Sequence, residues 1–137
     1  MNYELGISLS ESKLLWMNGP FKAGGNDKSV LKNKGLKTKL LSIGKKAIGD
    51  CGYFGHQTAV VCPNPRDDRK VAKFKSRALK RHETFNGRTK VFDCLSGRFR
   101  HSTDRFKNCF EAVCVIVQYQ IEIDDPMFDI IVEGMFD

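Results

Sequence analysis

Hydrophobic and polar positions change their period several times along the chain. In residues 2–20, "NYELGISLSESKLLWMNGP", apolar side chains alternate through Leu5, Ile7 and Leu9, break at Ser10-Glu11-Ser12-Lys13, and resume at Leu14-Leu15-Trp16-Met17. Period-two alternation around a polar break predicts two strands joined tightly, a hairpin ended by Gly19-Pro20. Trp16 and Phe21 belong to its packing. In "KSVLKNKGLKTKLL", Val30, Leu31, Leu36, Leu40 and Leu41 fall on one side of a helix interrupted by Gly35. That pattern predicts two short helices with a kink between them, and Asn26 or Asp27 is suited to cap the first. "KKAIGDCGYFG" predicts a short buried strand through Ala47 and Ile48, and "TAVVCPNP" another, closed by Pro63 and Pro65. From Asp67 to Lys90 the period is helical, with Val71, Phe74, Ala78, Leu79 and Phe85 as its apolar stripe. Asp67 and Asp68 are placed in its first turn, where the helix dipole favours acids. A second long helix is predicted over residues 103–120, with Phe110, Val113, Val117 and Tyr119 facing the core. "IDDPMFDIIVEGMFD" reads as a frayed end. This order of elements predicts a mixed α/β sandwich.

Composition narrows the class. A chain of 137 residues, 41% hydrophobic and 28% charged, has room for one ordinary core and is too apolar to be disordered. No repeat or low-complexity tract is present, and the longest apolar run, Ala112 to Val117, is far too short to span a bilayer. The five cysteines (Cys51, Cys62, Cys94, Cys109, Cys114) form no CxxC pair, and His56, His82 and His101 lack zinc-ligand spacing. Free thiols in a reducing, intracellular compartment are expected, with Cys109 and Cys114 in the core.

Charge changes the picture more. The net charge of +7 is unevenly placed: residues 66–107 hold 14 Lys and Arg against five acids, whereas residues 108–137 hold seven acids and no Lys or Arg. Such a block predicts an electropositive working surface followed by an acidic tail. Within it, "RHETFNGRTK" places Glu83 on a cationic helix. Lys90 is two turns on, Arg81 and Arg88 lie to the sides, and Gly87 leaves a gap one turn above. A carboxylate ringed by cations beside a gap suits a metal ion and a phosphodiester. Equally, Glu83 could merely balance Lys80 and Lys90 in weak surface pairs. Asp50, just past a strand's C-terminal end, stands where open α/β sheets keep their chemistry, or is an ordinary turn residue. His82 points about 100° away from Glu83 and is expected to be structural or phosphate-contacting.

"IGDCGYFG", followed by "RHETFNGRTK" with 32 residues between the Asp of the first and the Glu of the second, resembles the DDE superfamily of retroviral-integrase-like transposases and endonucleases, in particular the Harbinger-type and insertion-sequence-type group. The carrying elements are Asp50-Cys51-Gly52-Tyr53, then Glu83 and Lys90 separated by six residues. "WMNGPFKAGGNDKSVL" looks like the family's Gly-Pro-loop-Asp segment, and "FNGR…LSGRFRH…FEAVCVIVQYQ" like its C-terminal end. The resemblance covers roughly residues 3 to 130, leaving 131–137 as a tail.

The resemblance implies an α/β, RNase H-like fold: a mixed sheet with flanking helices, in which the hairpin supplies the second and third strands, Asp50 follows the fourth, and Glu83 rides a helix packed on the sheet. It implies Asp27, Asp50 and Glu83 as metal ligands, Asp50 and Glu83 as catalytic, and Arg81, Arg88 and Lys90 as contacts to DNA phosphates. Mg²⁺ or Mn²⁺ would be the cofactor, since hard cations take carboxylate oxygens. Two such ions, about 3.5–4 Å apart, stabilise both oxygens of an in-line phosphodiester displacement. The implied partner is DNA, in the nucleus, with a homo-oligomer or complementing subunit and no membrane.

Only Asn2 and Tyr3 stand between Met1 and the strand matched to the family's second. The first strand and its catalytic Asp are therefore expected to be missing, and the chain is expected to be a truncated transposase domain, inactive alone. Competing readings are a non-catalytic basic DNA-binding or accessory module, and a small α/β domain that binds nothing in particular.

Overall fold

The computed structural model describes residues 1–22, 31, 35–53 and 55–130. Along these run β1 (Asn2–Ile7), β2 (Leu14–Phe21), α1 (Leu36–Ser42), β3 (Ala47–Ile48), a 3₁₀ turn (Cys51–Tyr53), β4 (Val60–Val61), α2 (Arg69–Lys90), α3 (Asp93–Ser96) and α4 (Thr103–Ile123). The chain divides into two compact units. One comprises Met1–Phe21 and Lys80–Asp129, the other Lys22–Leu79 and Ile130–Asp137. The boundary falls inside α2.

In the first unit β1 and β2 form the antiparallel hairpin that the alternation predicts, with Leu5 opposite Met17 and Ile7 opposite Leu14. The register slips between Gly6 and Ile7, so Leu15 has no partner and stands 67% exposed. Gly6 is required opposite Trp16, because a Cβ there would lie 2.9 Å from the Trp16 Cβ. The Trp16 indole donates to Oε2 of the buried Glu4 carboxylate at 2.9 Å. One face of the hairpin packs Leu5, Ile7, Leu14 and Met17 against a core of Phe85, Val113, Cys114, Val117, Ile121 and Met127. Gln118 of α4 secures the turn: its Oε1 accepts from Leu14 N at 2.8 Å and its Nε2 donates to Ser12 O at 2.9 Å. Removing the fully buried Phe85 side chain would cost about 3–5 kcal/mol.

α4 starts at Ser102, whose Oγ accepts from Arg105 N. It runs three residues beyond the predicted end. Tyr119, expected in the core, is 64% exposed; the buried stripe follows Val113, Val117 and Ile121 at four-residue steps, and Tyr119 falls between them. Phe110 packs on the core as expected and stacks on Tyr3, with ring centroids 3.9 Å apart. The segment after α4 is tied down as far as it is described: Met127 and Ile130 are buried, and residues 131–137 lie outside the described residues.

In the second unit β3 and β4 pair in parallel, Ala47 opposite Val60 and Ile48 opposite Val61. Leu31, Ala59 and Val60 form the small core, packed by Leu36, Leu40, Ala47, Tyr53 and Cys62. Gly35 takes a left-handed φ of 95° at the start of α1, a conformation that favours glycine. The first of the two short helices expected on "KSVLKNKGLKTKLL" falls mostly outside the described residues. α2 begins after Asp68, whose Oδ1 accepts from Lys70 N and Val71 N. Asp68 therefore caps the helix from outside its first turn, and Asp67 serves elsewhere.

The architecture is mixed α/β, with small sheets and four α-helices among the described residues. The single mixed sheet expected from the sequence is not seen there. The strands form two two-stranded sheets, one antiparallel and one parallel. β3 and β4 are only two residues long, which limits how far either can extend a ladder.

Candidate functional site

Asp50 is placed by close packing one residue earlier. Gly49 ends β3 with its N–H donating to Val61 O at 3.0 Å. A Cβ on Gly49 would sit 2.7 Å from Val60 Cγ1 and 2.9 Å from Tyr53 Cδ2. The ring of Tyr53 thus lies over a glycine, which turns the chain so that Asp50 emerges exposed at the C-terminal end of the strand. Asp50 Oδ1 accepts from Gly52 N at 2.9 Å and Tyr53 N donates to Asp50 O at 3.2 Å. This accounts for the Asp-x-Gly-Tyr spacing: the side chain stabilises its own turn with one oxygen, and Oδ2 has no partner among the described residues.

Glu83 is the sole acid of α2, a 22-residue helix that carries nine Lys and Arg. Its carboxylate is exposed and makes no ion pair or hydrogen bond among the described residues, with neither Lys80 nor Lys90 closing on it. Gly87, one turn on, is exposed, with nothing within 4 Å of where a Cβ would stand.

The nine cations of α2 do not all reach solvent. Lys75 is buried, and its Nζ donates to Cys62 O at 2.9 Å and to the Asp67 carboxylate at 2.9 and 2.8 Å. That contact, helped by Asn64 N, holds Asp67 below the usual carboxylate range. Arg81 is 2% exposed. Its guanidinium donates to Phe128 O at 2.9 Å, Glu11 O at 3.0 Å and Ser12 Oγ at 3.2 Å, fastening the hairpin turn and the segment after α4 to the helix. Burial lowers its pKa from the usual arginine value. Expected on phosphates, Arg81 has instead a structural position, with its donors on the protein's own carbonyls. Arg88 is half-buried and bonds the backbone and carboxylate of Asp125. Lys90 is exposed and unpaired among the described residues, as are Lys70, Lys73 and Lys80. His82 lies under the hairpin: Nε2 meets Leu5 O at 3.2 Å and Nδ1 meets the Asn86 amide at 3.2 Å. With a carbonyl at one nitrogen and an amide group at the other, both ring nitrogens are engaged within the protein, a structural position.

Asp27 lies outside the described residues. Asp50 belongs to the second unit and Glu83 to the first. Their donor chemistry fits a hard cation, each offering carboxylate oxygen free of partners among the described residues. Among the described residues, no three His, Cys, Asp or Glu side chains come together to hold a metal ion. A cavity of about 280 Å³ in the second unit is lined by Lys46, Gln57, Cys62, Asn64, Asp67 and Lys75, among others, and includes neither Asp50 nor Glu83. No helix of the described residues is long and apolar enough to cross a membrane.

The internal use of Lys75 and Arg81 is the part that sequence reasoning missed. Lys75 lies four residues from Val71, and Arg81 three from Ala78 and four from Phe85, a faint signal, because those apolar neighbours mark the buried side of the helix.

A family model described as DDE superfamily endonuclease matches residues 1–118. No curated protein and no solved structure matches the chain.

Proposed function

Because the chain belongs to the DDE superfamily endonuclease family, we propose that it binds divalent metal ions through the carboxylates of Asp27, Asp50 and Glu83, and DNA phosphates through exposed cations of α2. Glu83 carries this reading. A surface acid on a strongly cationic helix is within reach of a lysine three or four residues away. Glu83 has no ion pair among the described residues, Lys80 included, so its charge is available to a ligand. Asp50 contributes likewise, its turn fixing one oxygen and presenting the other. Bound Mg²⁺ or Mn²⁺ supplies the positive charge that phosphodiester hydrolysis and strand transfer need on the attacking and leaving oxygens. It also offsets the acids' repulsion of the polyanion. Lys80 and Lys90 flank Glu83 along the helix and hold the DNA backbone, while Arg88 is available only by leaving Asp125. Arg81 positions the hairpin and drops out of the DNA-contacting set. Acting on DNA, the protein would work inside the cell, in the nucleus.

The test is Mn²⁺ binding by titration calorimetry, together with DNA affinity in the presence and absence of the metal. Glu83→Gln and Asp50→Asn should each weaken Mn²⁺ binding at least tenfold, with the melting temperature little changed. Wild-type DNA affinity should rise with metal, and the variants should lose that response. If instead both variants bind DNA as well as or better than wild type, and Mn²⁺ has no effect on any of them, the chain is a metal-free DNA-binding module.

A further inference from the structure

The five cysteines are all reduced, and their surroundings separate them. Cys114 is sealed in the core, where burial pushes its thiol up to about 12. Cys51 and Cys62 belong to the second unit. Cys94 and Cys109 belong to the first and meet: the Cys109 thiol donates to Cys94 Sγ at 3.1 Å. A disulfide needs the sulfurs about 1 Å closer.

Both sulfurs ride on anchored backbone. Cys94 is exposed on α3, and its neighbours Phe92 and Leu95 pack on the core. Cys109 is half-buried on α4 beside Phe110, which stacks on Tyr3. Between them, Phe99 packs edge-on against Phe106, with centroids 5.1 Å apart. The contact is therefore built into the packing rather than made by two loose side chains. Neither thiol has a part in the metal- and DNA-binding reading.

We propose that Cys94 and Cys109 form a redox-modification site, closed reversibly to an intramolecular disulfide by a low-molecular-weight disulfide such as oxidised glutathione. Cys94, the exposed sulfur, attacks as its thiolate, forming a mixed disulfide and releasing one small thiol. Cys109 then loses its proton, attacks the Cys94 sulfur and expels the second small thiol. Two protein thiols are oxidised and one small disulfide is reduced to two thiols, which take up the two protons. The hydrogen bond that Cys109 donates holds its own thiol above the usual cysteine range, in keeping with its role as the second to react. The bond would close a loop carrying Arg98, Arg100, Arg105 and Lys107.

The experiment treats the reduced full chain with oxidised glutathione, quenches with N-ethylmaleimide in denaturant so that the buried Cys114 is also alkylated, and maps peptides without reduction. Two of the five thiols should escape alkylation, with one cross-linked peptide joining Cys94 to Cys109 that dithiothreitol releases. Cys94→Ser and Cys109→Ser should abolish the link, and Cys51→Ser should keep it. The wild-type map decides the matter whether or not the serine variants fold. A glutathione adduct that never resolves, a link through Cys51 or Cys62, or five thiols still alkylated would each overturn the proposal.

Discussion

Two glycines beside the two described acids behave in opposite ways. Gly49 has no room for a methyl group, because the Val60 side chain and the Tyr53 ring occupy its place. Gly87 has open space around it in the interior of α2. Glycine costs about 1 kcal/mol relative to alanine in a helix interior. Gly87→Ala should therefore raise stability by about 0.5–1 kcal/mol in urea denaturation. Gly49→Ala should lower it, since a 2.7 Å approach to Val60 forces the turn that presents Asp50 to shift. Equal destabilisation by both would mean that α2 is not regular at Gly87. The sequence marks both positions as glycine beside an acid, and nothing local tells them apart. Spacing did place Asp50 at a strand end and Glu83 on a helix, because both follow from nearby periodicity.

At the scale of elements, α2 serves two environments. One side offers exposed lysines, and the other buries Lys75 and Arg81 among apolar residues. The Lys75 contact makes a pH prediction. Asp67 has its pKa lowered in the fold, chiefly by Lys75, so its contribution is present above the unfolded carboxyl value of about 3.9 and fades as pH falls through the lower folded value. Asp67→Asn should melt below wild type at neutral pH, and the gap should narrow as pH drops below about 4. Melting curves across that range check it; a gap independent of pH would show that the ion pair contributes nothing. Periodicity located α2 to within two residues at its start and placed its last residue, yet could not say which lysine turns inward. That depends on Cys62 O and Asp67, residues brought to Lys75 by the turn before the helix.

For the whole molecule, the net charge of +7 makes affinity for DNA depend on salt. Each neutralised phosphate contributes a slope of about −0.9 in log affinity against log salt. Lys80→Ala and Lys90→Ala should each flatten the slope by about that amount in fluorescence anisotropy with duplex DNA, leaving the melting temperature unchanged. Arg81→Ala should do the reverse, lowering the melting temperature by withdrawing bonds from Phe128, Glu11 and Ser12. A flattened slope in Arg81→Ala at intact stability would return that residue to the DNA surface.

The amino-acid order alone determined the hairpin, the short strands at residues 47–48 and 60–61, both long helices and the family, since each is written in neighbouring positions. Tertiary structure decided how the strands divide between two sheets, that Tyr119 faces outward, that Arg81 faces inward, and that Cys94 meets Cys109 across fifteen residues. A helix period tells which residues share a face. It does not tell whether a carbonyl, a carboxylate or a second sulfur from elsewhere in the chain waits opposite that face, and those partners set what a charged or reactive side chain can do.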